Sequence, residues 1–500
     1  MFADKGLGPP AAETAGDSTA GRAEVSSFPR RYAWLWAVLP VGVGRVRVPR
    51  DPMLAEAAET AGFKLAERAG ADDATLLVLG SNSRSRDTVD SEVQGANGGA
   101  VAVVIDRAPR RRGRVGAVRR AVARLISAPV ALPTALERRR FEQRLARPGT
   151  RLESVSMSDR ARSTYQLGGS LWRRGLAPVG AIVWTIPDGR QTFVEAAVAE
   201  ASVALGRTVS IRDMTVLLSG KILVELGDDG AGRWFLRIAG GPPAEYMLNS
   251  LHALKAIAEA DAPAVLRERL VQPIAEGRIG PARYSLEEKV TGHHPPRLTS
   301  ALWGDCLEFL VELHLLGPEQ GRGELSQAIR RVESDLELLG RALGGTEGRA
   351  VEELAGWMAA ELGGLPLGWE HGDFWAHNMI VTNGRLRAVL DWDTALAASL
   401  PLLDLFDLIS LPPGQRRPAQ VGPRLEHVLL PMVRRGGDER IRMYCDATGT
   451  PTDPDVLEGV AVAYWVSRAA RAARDDPVLA TRDYWVNENV RRPLRLLRRH

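Results

Sequence analysis

Between Glu370 and Ala395 the sequence EHGDFWAHNMIVTNGRLRAVLDWDTA gathers His371, Asp373, Asn378, Asp391 and Asp393, separated by apolar runs. These residue types suit phosphoryl transfer, which asks for positioning and charge neutralisation more than for covalent chemistry. A carboxylate such as Asp373 can orient an attacking hydroxyl and accept its proton. Asn378 and Asp391 offer hard oxygen donors of the kind Mg²⁺ shares with nucleotide phosphates. The interval from Asp373 to Asn378 is enough for a loop that turns both side chains inward.

For these groups to meet, the chain between them must double back. MIV and RAVLD read as two strands, and Asn383-Gly384 between them is a strong hairpin signal. That hairpin would return Asp391 to the side of Asn378. The surrounding sequence supplies the scaffold. MTVLLSGKILVELG and GRWFLRIAG read as strand runs about the loop DDGAG (Asp228–Gly232), followed by a helix in AEYMLNSLHALKAIAEA and a strand in YSLEEKVTGHHP. From Leu298 helices dominate: LWGDCLEFLVELHLLG, ELSQAIRRVESDLELLGRAL, VEELAGWMAAELGG and, after the hairpin, DVLEGVAVAYWVSRAARAARD. A small sheet lobe and a helical lobe with a cleft between them is the expected architecture.

The bulk composition permits this. The chain has 500 residues, 45% apolar and 25% charged, with a formal net charge of +4, which fits a globular protein of two or three domains. Cys306 and Cys445 are too few for a disulfide framework and lack metal-ligand spacing. The longest apolar run, Ala33–Gly44, has twelve residues and contains Pro40, short of the roughly 20 a spanning helix needs. A cytoplasmic location is expected.

The pattern HGDFWAHNMIV…VLDWD resembles the aminoglycoside phosphotransferase and choline-kinase-like family. The resemblance covers about residues 209–500 and is most specific over Glu370–Leu408. It implies an α+β, protein-kinase-like fold of two lobes, a small β-rich lobe at 206–296 and a larger helical lobe at 297–500. It implies Asp373 as the catalytic base or orienting carboxylate, with His371 supporting the catalytic loop. Asn378 and Asp391 become the Mg²⁺ ligands, Asp393 assists, and Asp404 in PLLDLFDL takes a structural role. ATP or GTP would donate its γ-phosphate to a small-molecule hydroxyl: a sugar, an amino alcohol, an aminoglycoside-like compound or a lipid-linked carbohydrate. The motif around His314 and EEKVTGHHP also look like family features.

The nucleotide lobe departs from the pattern. A kinase holds phosphates with a strand Lys positioned by a helix Glu. Here Arg237 stands at the Lys position and Ser250 at the Glu position, with Glu245 earlier on the same helix as a substitute. The loop LLSGKILV has one glycine, Gly220, and Lys221 beside it offers a replacement ammonium. A kinase fold weakened in catalysis and used for binding is therefore the alternative reading.

Residues 1–30 read as a disordered tail. Residues 31–205 read as a small α/β, Rossmann-like domain with a parallel sheet. Its strands are expected in AWLWAVL, TLLVLG, GAVAVVID and GAIVWTI, and its helices in DPMLAEAAETAGFKLAERAG and VEAAVAEASVAL. Gly42 and Gly44 lack the third glycine of a dinucleotide fingerprint. Arg107–Arg124 carries eight arginines and no acid; it is either a solvated helix or a surface for anionic lipid, a phosphorylated substrate or nucleic acid. Aromatic interleaving is missing there, so no DNA or RNA partner is expected. Tyr444, Trp465, Tyr484 and Trp485 are candidates for lining an acceptor pocket. The basic C-terminal segment RRPLRLLRRH leans towards an anionic acceptor.

Overall fold

The structure, a computed structural model, describes residues 191–497 apart from 218–219, 229, 231, 318–321, 344–347, 412–419 and 476–478. Before residue 191 it describes only short stretches near 39–48, 55–66, 74–79, 100–105 and 182–186. The tail at 1–30, most of the expected strand Ala33–Leu39 and the arginine-rich Arg107–Arg124 lie outside the described residues.

Within the front part, β1 (Arg45–Arg47), β2 (Lys64–Leu65), β3 (Ala74–Leu79), β4 (Ala100–Ile105) and β5 (Ile182–Ile186) form one sheet in the order β2-β1-β3-β4-β5. The first four pair parallel, but β5 runs antiparallel to β4, with Val101 opposite Ile186 and Ile105 opposite Ile182. The sheet expected to be parallel is therefore mixed. Lys64–Leu65, read above as part of a helix, is strand, because Gly62 at φ +92° stops the helix before it. Gly42 sits in a turn ahead of β1.

Helix α1 (Phe193–Leu205) is set by local chemistry at both ends. Thr192 and Glu195 form a reciprocal capping box, with hydrogen bonds of 3.2 and 2.8 Å, and Gly206 closes the helix at φ +62°. The strands that follow are β6 (Ser210–Val216), β7 (Ile222–Gly227), β8 (Arg233–Ala239), β9 (Pro273–Ile279) and β10 (Ala282–Glu288). Helix α2 (Pro242–Glu259) lies between β8 and β9 in sequence, and the antiparallel sheet has the order β6-β7-β8-β10-β9. Two features escaped the sequence reading. MTVLLSGKILVELG is two strands, turned at Gly220 (φ +82°) with Leu217 N–H donating to Lys221 O at 2.8 Å. PIAEGRI is β9, an edge strand.

Strand side chains alternate between faces, and this sheet divides sharply. Ile222, Val224 and Leu226, Trp234, Leu236 and Ile238, and Ala282, Tyr284 and Leu286 are buried on one face in a core with Phe193, Val194, Ala197 and Ala201 of α1. Leu39, Val43, Val46 and Phe63 of the front segment complete that core, and the rings of Phe63 and Phe193 meet edge-on at 6.0 Å. The other face carries Lys221, Arg237, Ser285 and Glu287. Register fixes their neighbours: Arg237 lies opposite Leu223 on β7 and Ser285 on β10.

The helical lobe contains α3 (Ser300–Leu315), α4 (Arg322–Leu343) and α5 (Gly348–Leu362), then β11 (Gly368–Glu370), β12 (Met379–Thr382), β13 (Arg385–Val389) and β14 (Leu396–Ser399). It continues with α6 (Leu403–Ser410), α7 (Glu439–Thr448) and α8 (Pro454–Asp475). Strands β12 and β13 form the expected hairpin, with Asn383 at φ +53° and Gly384 at φ +74°, the pair of left-handed residues a two-residue turn demands. A second pair, β11 with β14, brackets it. Asp305 on α3 pins the hairpin from below, accepting from Arg385 Nε at 2.8 Å, Arg385 Nη2 at 2.5 Å and Leu386 N–H at 2.9 Å. The linker returns to it from above: His293 and Val381 exchange backbone hydrogen bonds of 3.1 and 2.9 Å.

Two outcomes follow from this packing. Removing residues 1–206 would uncover Ile222, Val224, Leu226, Leu236, Ile238 and Leu286, each worth about 1.5–3 kcal/mol when buried. That truncation should aggregate on size-exclusion chromatography, whereas a chain starting at residue 189 retains α1 and should recover more monomer. The second outcome concerns His314, buried on α3 beneath Gly368, where burial pushes its pKa down to about 4. Its neutral form is favoured in the fold, so its contribution to stability is complete above 6.5 and is lost as pH falls towards 4. The slope in that window is about 1.4 kcal/mol per pH unit. Urea denaturation at pH 7, 5.5 and 4.5 should show it, and His314→Leu should flatten it.

Candidate active site

The catalytic-loop candidates are held mainly through the backbone. His371 N–H donates to Asp404 Oδ2 at 2.6 Å, and Gly372 N–H donates to Asp404 Oδ1 at 2.8 Å. Both oxygens of one carboxylate on α6 thus clamp two consecutive peptide groups. His371 is fully buried. Its Nε2 donates to Leu390 O at 2.9 Å, and its Nδ1 accepts from Asp373 N–H at 3.2 Å. That pattern specifies the neutral ring, and burial lowers its pKa in agreement. His371 is therefore a strut between the loop and the end of β13.

Gly372 is required by its position. It sits at φ +80°, and a Cβ there would lie 2.4 Å from Thr394 O. The loop and the segment after Asp393 can approach this closely only with hydrogen at that carbon. Arg471 on α8 donates to Gly372 O, fixing the loop from the other side.

Asn378 ends a short 3₁₀ turn (Ala376–Asn378) and donates through Nδ2 to Asp373 O at 2.8 Å and Asp373 Oδ2 at 2.9 Å. Its carbonyl oxygen is the ligand atom left to offer. Leu390 N–H donates to Asn378 O at 2.8 Å, which brings the next residue, Asp391, beside it. Asp391 adopts φ +65°, an uncommon region for a non-glycine residue and one found at functional sites. Asp373, Asn378 and Asp391 are thus assembled by one loop and one hairpin.

Across the cleft, the charged face of the sheet meets this hairpin. Lys221, buried to 2% exposure, reaches Asp393 Oδ2 with its ammonium and lies 3.7 Å from Asp391 Oδ1. Arg237 pairs with Glu287 at 2.8 Å. Burial opposes ionisation of Asp391, but Lys221 and Arg237 outweigh it and hold its carboxyl below the usual range. Asp393 goes the other way: burial and the charge of Asp391 push it up to about 6 against Lys221. Burial also raises Glu287 in spite of Arg237.

The expected Arg237–Glu245 pairing is not what the structure builds. Glu245 lies exposed on the first turn of α2 and lines an open cleft of about 750 Å³ with Asn249, Arg278, Arg283 and Asp393. The partner is Glu287, on a neighbouring strand, which sequence reasoning missed. It is two residues beyond Ser285, the residue opposite Arg237, and therefore on the same face of the sheet. Asn249 was also missed; its Nδ2 donates to Asp393 O at 2.9 Å and Ala395 O at 3.1 Å, tying α2 to the segment that follows β13. Of the acceptor-pocket candidates, Tyr444, Trp465 and Trp485 are buried in the helical core and Tyr484 is exposed on the surface. Helical packing, not ligand contact, accounts for the first three.

The donors present suit a hard divalent cation: one amide oxygen, one ionised carboxylate and a neighbouring carboxylate. Among the described residues no group of three or more His, Cys, Asp or Glu forms a metal site. A cation here would complete its shell from phosphate oxygens or water, the habit of Mg²⁺.

Residues 219–444 match the family model described as the phosphotransferase enzyme family. The match spans the hairpin and the charged face of the sheet, and covers somewhat less than half of the chain. The resemblance read from HGDFWAHN and VLDWD is thereby borne out. Among solved structures, aminoglycoside phosphotransferase APH(4)-Ia, determined as a thermostable mutant with ADP and hygromycin B, is 14% identical. It has a TM-score of 0.39, with 60% of this chain and 97% of that one covered. ADP-bound APH(2'')-Ib is 15% identical, with a TM-score of 0.38 and coverage of 60% and 98%. A putative fructosamine-3-kinase from Haemophilus somnus 129PT is 11% identical, with a TM-score of 0.40 and coverage of 59% and 96%. No curated protein matches the chain. Among the described residues, no helix is long and apolar enough to cross a membrane.

The clamp on the loop is the feature most exposed to mutation. Asp404→Ala leaves two buried N–H groups without an acceptor and Arg468 short of a carboxylate, which should cost about 3–5 kcal/mol. Asp404→Asn keeps one acceptor and should cost less. Chemical denaturation of both variants beside the parent checks the order.

Proposed function

We propose that the chain is a nucleotide-dependent phosphotransferase that moves the γ-phosphate of ATP or GTP to a hydroxyl of a small molecule. The observation that carries this reading is the convergence of Asp373, Asn378 and Asp391 opposite a sheet face bearing Lys221 and Arg237. In the reaction the acceptor hydroxyl oxygen forms a bond to the γ-phosphorus while the bond to the β–γ bridging oxygen breaks, and the nucleoside diphosphate leaves. Asp373, at the loop anchored by Asp404, orients the hydroxyl and takes its proton. Asn378 Nδ2 on Asp373 Oδ2 holds that carboxylate in one orientation. Asn378 and Asp391 would hold Mg²⁺, which supplies charge neutralisation at the phosphates. Lys221 and Arg237 provide fixed positive charge on the nucleotide side of the cleft.

On this reading the sheet lobe at about 206–296 serves the nucleotide, and the helical lobe at 297–500 serves the catalytic loop and acceptor. The front segment supports the sheet lobe from behind, through α1 and the core it shares with the strands.

A second reading, a kinase fold retained for binding, is favoured by one observation: the guanidinium of Arg237 is already taken by Glu287. Calorimetry with ATP and GTP, with and without Mg²⁺, separates the two. The phosphotransferase reading expects Mg²⁺-dependent binding that Asp391→Ala reduces at least tenfold. Asp373→Asn should keep nucleotide binding and lose about 10²–10⁴-fold in turnover, as expected for a general base. A folded protein that binds neither nucleotide at millimolar concentration would sink the enzymatic reading and leave the binding one.

A further inference from the structure

Asp373 is held on its loop, with Oδ2 accepting from Asn378 Nδ2 at 2.9 Å, and the remaining charged groups where the hairpin meets the sheet face can be counted. Asp391, Asp393 and Glu287 supply three carboxylates, and Lys221 and Arg237 supply two permanent cations, with Arg237 committed to Glu287 and Lys221 to Asp393. Lys221 cannot move away freely. It follows directly on Gly220 in a tight turn whose ends are tied by the Leu217 N–H to Lys221 O bond of 2.8 Å, and its side chain is 2% exposed. Asp393 is fixed as well, with Asn249 of α2 holding its backbone carbonyl at 2.9 Å. Asp391 differs: its side chain is 46% exposed and its contact with Lys221 is the longer one, 3.7 Å. After the fixed pairs and the Asn378-bound Asp373 are set aside, the carboxylate of Asp391 and the amide oxygen of Asn378 remain. Two divalent ions in one site need several unneutralised oxygens to screen their repulsion.

We propose that Lys221 is a built-in cation of the metal centre, which holds Asp393 in an ion pair so that the site takes one divalent ion, on Asp391 and Asn378, rather than two. The inference rests on the phosphotransferase reading only for the identity of the metal ligands. Lys221 is a positioning residue in this scheme: it acts on the ion through the carboxylates it occupies. Its removal frees Asp393 to join Asp391, and the site becomes a stronger trap for a divalent ion.

The test is a titration of the full-length, nucleotide-free protein with Mn²⁺, followed by electron paramagnetic resonance of the unbound ion. The parent should bind at most one Mn²⁺ per chain. Lys221→Met should bind Mn²⁺ at least tenfold more tightly, Lys221→Arg should stay within about twofold of the parent, and adding Asp393→Asn to Lys221→Met should cancel the gain. Circular dichroism establishes that each variant is folded, and Lys221→Gln replaces Lys221→Met if the latter is not. Two Mn²⁺ ions on the parent, or unchanged Mn²⁺ affinity in a folded Lys221→Met or Lys221→Gln chain, would overturn the proposal. Nucleotide calorimetry on the same samples keeps the two readings apart, since absent nucleotide binding bears on the phosphotransferase reading and leaves the metal titration standing.

Discussion

One carboxylate, Asp404, holds the site together. It accepts from two successive peptide N–H groups at His371 and Gly372, so the loop bearing Asp373 has its backbone fixed before any side chain is considered. Asp404 is itself held in a buried network. Arg468 of α8 lies 2.8 Å from Glu370, 2.9 Å from Asp407 and 3.9 Å from Asp404, and Tyr464 donates to Asp407 at 2.8 Å. Arg424 adds a second guanidinium, 3.6 Å from Asp407 and 2.8 Å from the Tyr464 hydroxyl. Three acids against two arginines leave one acid in surplus. Burial and Glu370 push Asp404 up to about 8, with Arg468 opposing them. Such a network is weak as a source of net stability, because desolvation offsets attraction. Its consequence is geometric: α6, α8, β11 and the loop have one mutual arrangement that satisfies the charges.

The sheet lobe solves a different problem with the period of two. One face of β7, β8 and β10 is apolar and covered by α1 and the front segment; the other carries Lys221, Arg237 and Glu287. Shifting any strand by one residue would send these charges into the core, so the burial of Ile222, Val224 and Leu226 is also what aims Lys221 at the cleft. The front segment thus contributes to the site at a distance. It buries one face, and register does the rest.

The sequence made the helical half of the site legible and left the sheet half partly hidden, for physical reasons. His371, Asp373, Asn378 and Asp391 lie within 21 residues, joined by an Asn-Gly turn whose geometry is local. Spacing alone therefore locates them. Asp404, only 33 residues from His371, was also accessible. Glu287 was not, because its relation to Arg237 depends on which strands are neighbours, and β9 intervenes in sequence between β8 and β10 but not in space. Asn249 bridges 144 residues to Asp393, a contact that no local pattern encodes. The turn at Gly220 lies in a break of only three residues, Ser219-Gly220-Lys221, between two apolar runs. Periodicity registers strand character there and passes over the reversal. The mixed pairing of β5 hid for the same reason, since an apolar run carries no sign of direction.

The choice of Arg at position 237 has a consequence for how a nucleotide would meet this cleft. A guanidinium keeps its proton under any burial found in proteins, so the charge persists in a setting that raises the pKa of its partner Glu287. A Lys in the same place would resist burial by giving up its proton. The planar fork also has donors beyond those Glu287 uses, so a phosphate oxygen can share Arg237 without breaking the pair. Lys221 is more fully committed, with its ammonium against Asp393 and facing Asp391. Charge on the nucleotide side is therefore present but already partnered. On the proposed reading, phosphates would gain affinity mainly through a cation on Asp391, whose side chain is 46% exposed. Nucleotide and metal binding would then be interdependent, because the cations of the sheet face are already paired within the chain.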